Sequence, residues 1–460
     1  MPPGSDSPAG DRPAGDRLAA DRPEPGQPEE VFRLHPLTPI ALGGKILGVL
    51  VLVTLLGLVD GTGSGKTAVI WRTAIFGGVA VLLVLRGVIV VFVTSYHLLG
   101  GELRIDSGLL QKQSKRVRLN RVQSVDVLEP LSARIFGLAE VKVTTAGSQR
   151  ASIRLRFLAA PVAHQLRADL LARSSGTTDQ APEAPERPLL RVPHQQLVRA
   201  QLLQLVSWRL LLLAIGPVLA VVGNNNGHNG TAIVGVSLFI SLGLALLLTL
   251  WRQINTFWDF TVGDTVDGLR IRHGLLSTSR QTVPPGRIQA VLIHQPLSWR
   301  PFGWAQVRMN VAGYGRSDSS GHQTVLIPVA DKDYAEAFVG WLLGGVDLAH
   351  VPLTRPPRRA ALRVPGWWRY ELAGANDRLF VARHGMLSRT IDVVPHERTQ
   401  SLRLTAGPWQ RALGLATVRL DSTRGPVKTR AAHRDATEAR EMLDRQIDRA
   451  RAARQARQVG

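Results

Sequence analysis

The chain has 460 residues, with 56 Lys and Arg against 35 Asp and Glu for a formal net charge of +21, and 45% of its residues are hydrophobic. It contains no cysteine, which removes disulfides and thiolate metal sites together, and its 12 His show no tight His/carboxylate spacing, so no metal or cofactor is expected. So large a positive charge suggests nucleic acid in a soluble protein, but beside membrane spans it suits anionic lipid headgroups, where each Lys or Arg near the surface is worth about 1 kcal/mol.

In chain order, residues 1–39 are rich in Pro, Gly, Asp and Arg and are expected to be disordered, because they bury too little apolar surface to offset ordering. Residues 40–85 hold two apolar segments, Ile40 to Val59 and Ala68 to Leu85, and residues 198–251 hold two more, Leu205 to Val222 and Thr231 to Trp251. A helix needs about 20 apolar residues to cross a bilayer core, so both pairs read as transmembrane hairpins. Positive charge lies on the flanks (Arg33, Lys45, Arg86, Arg104, Arg199, Arg209, Arg252), while the tips 60–67 and 223–230 are nearly uncharged. The hairpins should therefore point outward from the membrane, with the modules and both termini cytoplasmic. One tip, Gly61-Thr-Gly-Ser-Gly-Lys-Thr67, suggests a phosphate-binding loop, but Asp60 stands where that loop needs its first Gly.

A module follows each hairpin at residues 86–175 and 252–345, and a third occupies 363–448. Between them lie linkers at 176–197 and 346–362, the second rich in Pro and Arg, and a basic tail covers 449–460. The modules are copies. A slide of 166 residues, with no gap, superposes Gly108 on Gly274, Arg121 on Arg287, Gln123 on Gln289, Arg134 on Arg300 and Gly137 on Gly303, and 17 of the 40 positions from Gly108 agree. A further slide of 111 reaches Gly385, Arg398, Gln400, Arg411 and Gly414. The third copy has polar, Pro-rich residues 351–359 ahead of it in place of an apolar hairpin, and is expected to fold without one. Within each copy, short β-branched runs broken by Gly turns predict an antiparallel sheet, closed by a helix such as Pro161 to Arg173 or Asp331 to Leu343.

The run Gly274-Leu-Leu, Val283-Pro-x-x-Arg287-Ile-Gln289-Ala-Val291, Gln295-Pro-Leu-x-x-Arg300-x-Phe-Gly303-x-Ala305-x-Val307 resembles the bacterial pleckstrin-homology-like (bPH2) domain. The hairpin-plus-module layout resembles the YdbT-like membrane proteins. The resemblance covers almost everything after residue 39. Copy three departs from it, with Thr399 for an aliphatic residue, Pro408 for Leu297, and Asp421-Ser-Thr-Arg424 where Val311-Ala-Gly313 stands in copy two. It implies an α+β membrane protein: two transmembrane helical hairpins plus three PH-like antiparallel β-barrel or sandwich modules of seven strands, each capped by a C-terminal helix.

The repeated Arg-x-Gln pairs, Arg121 with Gln123, Arg287 with Gln289 and Arg398 with Gln400, are the candidate ligand or lipid-binding residues. Two apart in a strand they share a face, so guanidinium and amide together could engage a phosphate or carboxylate; the alternative is that they satisfy backbone groups of a neighbouring loop. Arg134, Arg300 and Arg411 have the same two readings, the structural one being a cap on the Gly three residues on. No Ser/His/Asp set or carboxylate pair recurs among the copies, so the expectation is a non-enzymatic platform. Its partners would be the anionic inner leaflet, a protein partner or the protein itself, and not nucleic acid. The alternative is a component of a transport or channel assembly, but the few charges in the spans sit near helix ends.

Overall fold

The computed structural model describes residues 30–33, 95–99, 102–107, 113–118, 122–145, 152–175, 187–205, 208–227, 229–266, 268–312, 324–423 and 425–459, with isolated positions at 78, 82 and 85. The chain divides into two compact units, residues 1–121 with 173–176, and residues 122–172 with 177–460.

In the first unit, β1 (Glu30–Arg33), β2 (Ser95–Leu99), β3 (Glu102–Ser107) and β4 (Gln113–Arg118) form an antiparallel sheet in that order. The residues expected to form the first hairpin lie outside the described residues, apart from Gly78, Leu82 and Leu85, which are helical and exposed. Within the stretch 1–39, Glu30–Arg33 forms strand β1, in which Val31 and Phe32 lie between two charged residues and Phe32 pairs with Tyr96.

The second unit opens with β5 (Val122–Glu129), the one-turn helix α1 (Leu131–Arg134), β6 (Leu138–Thr145), β7 (Ser152–Ala159) and α2 (Ala160–Ser175). Next come β8 (Arg187–Arg191) and three helices, α3 (His194–Leu205), α4 (Trp208–Asn225) and α5 (Asn229–Phe257). The second copy continues through β9 (Thr261–Thr265), β10 (Gly268–His273), β11 (Thr278–Val283), β12 (Ile288–Gln295), β13 (Trp304–Val311), β14 (Val325–Asp331) and α6 (Lys332–Leu342). The third holds β15 (Leu372–Ala375), β16 (Leu379–His384), β17 (Arg389–Pro395), β18 (Ser401–Thr405), α7 (Pro408–Ala412), β19 (Leu415–Asp421), β20 (Arg430–Asp435) and α8 (Ala436–Val459). The basic tail expected at 449–460 thus continues α8 to Val459.

The seven strands of a copy do not make a self-contained sheet. Strand order is β7-β6-β5-β11-β10-β9-β8 in one sheet and β14-β13-β12-β17-β16-β15 in the next, with β18-β19-β20 in a third. The last three strands of copy one therefore join the first four of copy two, and the last three of copy two join the first three strands of copy three. The reason is visible in β12, Ile288-Gln-Ala-Val-Leu-Ile-His-Gln295, which is buried along almost its whole length. Such a run needs a core on each face of the sheet. Ile288, Val291 and Ile293 enter the core of copy two, where they meet Val381, Ile391 and Val393 from copy three. Ala290 and Leu292 face the other way, against Val394 and Val427.

In copy two the helices enter inside the sheet rather than ahead of it. Strand β8 lies in the stretch expected to be a linker, yet it pairs with β9 across α3, α4 and α5, Leu190 opposite Val262. In copy three the same place holds a single bridge, Thr354 to Ala373, with short 3-10 turns at Arg358–Leu362 and Trp368–Tyr370 between its ends. Arg434, fully buried, holds that bridge closed by donating to the Thr354 hydroxyl at 2.8 Å and the Thr354 carbonyl at 2.7 Å.

The second hairpin is the helix pair α4 and α5. Ile233–Phe257 is long and apolar enough to cross a membrane, and 6% of its apolar window is buried inside the protein. Glycines let the two backbones meet: a Cβ on Gly216 would lie 2.8 Å from the Gly235 carbonyl oxygen, and one on Gly235 would lie 2.4 Å from the Ala220 nitrogen. Small residues at a crossing are how helices associate where no hydrophobic gradient drives them together.

Candidate functional site at the module junctions

The two junctions are built alike. At the first, Glu129 faces Thr278, Leu128 faces Ser279 and Val127 faces Arg280. At the second, Gln295 faces Arg389, His294 faces Thr390 and Ile293 faces Ile391. Shifted by the repeat offsets, these are the same three pairs. A tight turn presents the second strand of each junction: Gly274 at φ +117 and Gly385 at φ +95, where a Cβ would come within 1.9 Å of the Ser277 carbonyl oxygen and 2.0 Å of the Ser388 carbonyl oxygen. Glycine is required at both by the backbone itself.

Arginines tie these turns to the preceding copy. Arg134 donates from Nη1 to the Leu275 carbonyl at 3.1 Å. Arg300, its repeat equivalent, donates to the carbonyl of Met386, the equivalent of Leu275. Both differ from the reading that they cap their own turns: Gly137 and Gly303 are satisfied by their own N–H groups, which donate to the carbonyls of Arg134 and Arg300. That leaves each guanidinium free to reach into the next copy. A third link at the second junction is Asn310 on β13, whose amide donates to Ser422, Thr423 and Val427 at 3.0 Å and accepts from Val427 N–H at 2.9 Å. This is why copy three departs from the repeat at Asp421-Ser-Thr-Arg424: the loop there is shaped around Asn310, which a Cβ on Gly425 would strike at 2.0 Å.

The Arg-x-Gln pairs stand next to the same junctions. Arg121 and the side chain of Gln123 lie outside the described residues. Arg287 ends a 3-10 turn, Pro285–Arg287, before the strand begins, and the β12–β13 register slips between Ile288 and Ala290. Gln289 thus occupies a bulge, as Gln123 does between Val122 and Ser124, so the alternation that would place Arg and Gln on one face does not run through these residues. Buried Gln289 donates to the Arg287 carbonyl at 3.4 Å, and that carbonyl also accepts from Ala312 N–H at 2.9 Å. In copy three, Arg398 pairs through Nε with Glu397 at 2.7 Å, and its guanidinium lies 4.0 Å from where a Cβ on Gly286 would sit. The turns carrying Arg287 and Arg398 therefore adjoin. Gln400 is exposed, and its N–H donates to the Asp421 carbonyl at 2.9 Å.

A buried polar cluster beside the second junction was not anticipated. Asp392 on β17 is 1% exposed, neither carboxylate oxygen has a hydrogen-bond partner among the described residues, and Nδ1 of His384 lies 3.9 Å away. Burial pushes the Asp392 carboxyl up to about 7, against the pull of Arg430 and with added push from Glu371. Burial, with Arg430 and His294 adding to it, takes His384 down to about 4. The signal in the sequence is an acidic residue inside the apolar run Ile391-Asp-Val-Val394. Among the described residues no group of three or more His, Cys, Asp or Glu is placed to hold a metal ion.

Seven strands in each of the first two copies and six in the third, each set counted across two sheets and followed by a closing helix, define a tandem of PH-like modules. The model of the bacterial PH domain family matches residues 46–174, 210–346 and 349–451, and the chain belongs to that family. The first match begins within the first apolar stretch and the second within α4. Among curated proteins the chain is similar to the UPF0699 transmembrane protein YdbT of Bacillus subtilis (strain 168), 23% identical over 264 residues, which is 52% of this chain and 54% of that protein. The match spans about half the length of that relative. With the lipid-length helix Ile233–Phe257, this is a membrane-associated protein of repeated bacterial PH domains.

Proposed function

We propose that the protein is a non-enzymatic multi-pass membrane protein whose PH-like modules form a cytoplasmic binding platform for anionic lipid headgroups and protein partners. The observation that carries this is the fusion of copies two and three through one six-stranded sheet, which makes a continuous surface rather than hinged modules. Its net charge of +21 draws that surface to an anionic leaflet. The Arg287 and Arg398 turns, adjoining at the junction, are the proposed contact for headgroup phosphates, with Arg121 as their counterpart in copy one and Gln123, Gln289 and Gln400 shaping the turns.

The test is hydrogen exchange of the full chain in nanodiscs of phosphatidylglycerol or phosphatidylcholine. Protection of the turns at 285–287 and 396–398 is expected with the anionic lipid only, and should fade at high salt as the Debye length shrinks. Equal protection in both lipids would reject the anionic surface. Topology is tested by a Cys placed at Asn225, expected to react with an impermeant reagent from outside intact cells, and one at Ser422, expected not to.

A further inference from the structure

Each junction joins the first strand of a copy's second half, β5 or β12, to the strand closing the next copy's first half, β11 or β17. The repeat offsets make β18 the third member of the first set and β4 the third member of the second. Among the described residues, β18 pairs with β19 alone and β4 with β3 alone. The edge of β18 has the marks of a junction without its second strand. Leu404 is 37% exposed, whereas its equivalents Val127 and Ile293 are each 2% exposed. Arg411 is exposed and makes no side-chain hydrogen bond among the described residues, whereas Arg134 and Arg300 each donate to a turn carbonyl of the next copy. Trp409, two residues before Arg411, is 71% exposed.

We infer that β18 pairs with β4 of a second copy of this chain, extending the junction pattern from one molecule to the next. The shared register sets Leu404 opposite Ser114, Thr405 opposite Gln113 and Arg403 opposite Lys115, and it leaves Arg411 to reach into the incoming chain as Arg134 and Arg300 reach into the next copy. Arg403 does not leave an unbalanced like-charge pair there, since Asp421 already holds it at 2.6 and 2.8 Å. Each molecule offers one edge of each kind, so the contact is heterologous and the assembly runs head to tail. The pairing uses main-chain groups and stands independently of any lipid recognition.

The chain has no cysteine, so introduced thiols report without background. Full-length Leu404→Cys and Ser114→Cys chains, co-expressed and oxidised in their membranes, should give a cross-linked dimer of two 50.1 kDa chains. Neither variant alone should do so, nor should Leu404→Cys with Arg116→Cys, which is out of register. Leu404→Arg with Arg411→Ala, both at exposed positions, should abolish the association while circular dichroism and melting stay unchanged. Absence of the dimer overturns the inference. So does a double Leu404→Cys, Ser114→Cys chain that cross-links only within itself, which would place β18 against β4 of its own molecule. A cross-linked dimer that survives Leu404→Arg with Arg411→Ala would also overturn it.

Discussion

Replacing Asp392 by Asn should stabilise the junction of copies two and three at neutral pH and not in acid. The folded protein holds the Asp392 proton up to about 7, whereas the unfolded chain releases it near the ordinary 3.8. Between those values the native state binds more protons, so the stability that Asp392 contributes is intact in acid and is lost as pH rises through the folded pKa. A shift of roughly three units at about 1.4 kcal/mol each gives about 4 kcal/mol as the upper scale of the loss. Asn has the shape of the neutral acid and no proton to lose, so its advantage should be near zero at pH 4 and approach that figure by pH 8. His384 runs the other way. Its folded pKa of about 4 lies below the ordinary 6.5, so its contribution is present above 6.5 and is lost as pH falls toward 4. With Asp392 removed, that opposing slope should emerge unmasked. The assay is urea unfolding of the full chain in nanodiscs followed by tryptophan fluorescence, at several values from pH 4 to pH 8. An Asn variant offset equally at every pH would refute the reasoning, because a charge-independent gain cannot come from the ionisation of Asp392.

Arg300→Ala should cost about 1–2 kcal/mol through loss of a charge-assisted bond to a carbonyl, seen as faster hydrogen exchange in β12 and β17 and not in β19. Gly385→Ala should cost more, about 3 kcal/mol, since positive φ adds to a Cβ placed 2.0 Å from the Ser388 carbonyl oxygen; unchanged melting would show that the turn relaxes freely. A fragment from Val351 to Gly460 should aggregate or lack fixed structure, because it strips β12 from β17 and exposes Val381, Ile391 and Val393. A soluble fragment with a cooperative melt would show that copy three closes its own edge.

The repeat was legible because identical offsets recur in Arg, Gly and Gln positions that no composition bias produces, and it located the copies, their strand character and their closing helices. What it could not show is which strands share a sheet. The continuous apolar run within Ile288 to Gln295 says that the strand is buried, but a strand with a core on each face reads the same whether its neighbour is its own copy or the next. Arg134 and Arg300 were found by their recurrence and given the wrong partners, since a bond to residue 275 or 386 leaves no trace near residue 134 or 300. The Arg-x-Gln spacing suggested one strand face because a bulge is invisible in a period of two. Strand β8 was missed because Arg187-Pro-Leu-Leu-Arg191 is short and proline-bearing, and its pairing partner lies beyond three helices.

That long separation bears on how the protein is made. Leu190 cannot meet Val262 until α3, α4 and α5 have been synthesised, so closure of copy two waits on the whole helical insertion between its first two strands. Thr354 meets Ala373 across a short stretch of 3-10 turns, and that edge closes locally. The same module design is thus assembled by two routes within one chain. In the last copy, the pairing of β17 with β12 ties the third module to the edge of the second.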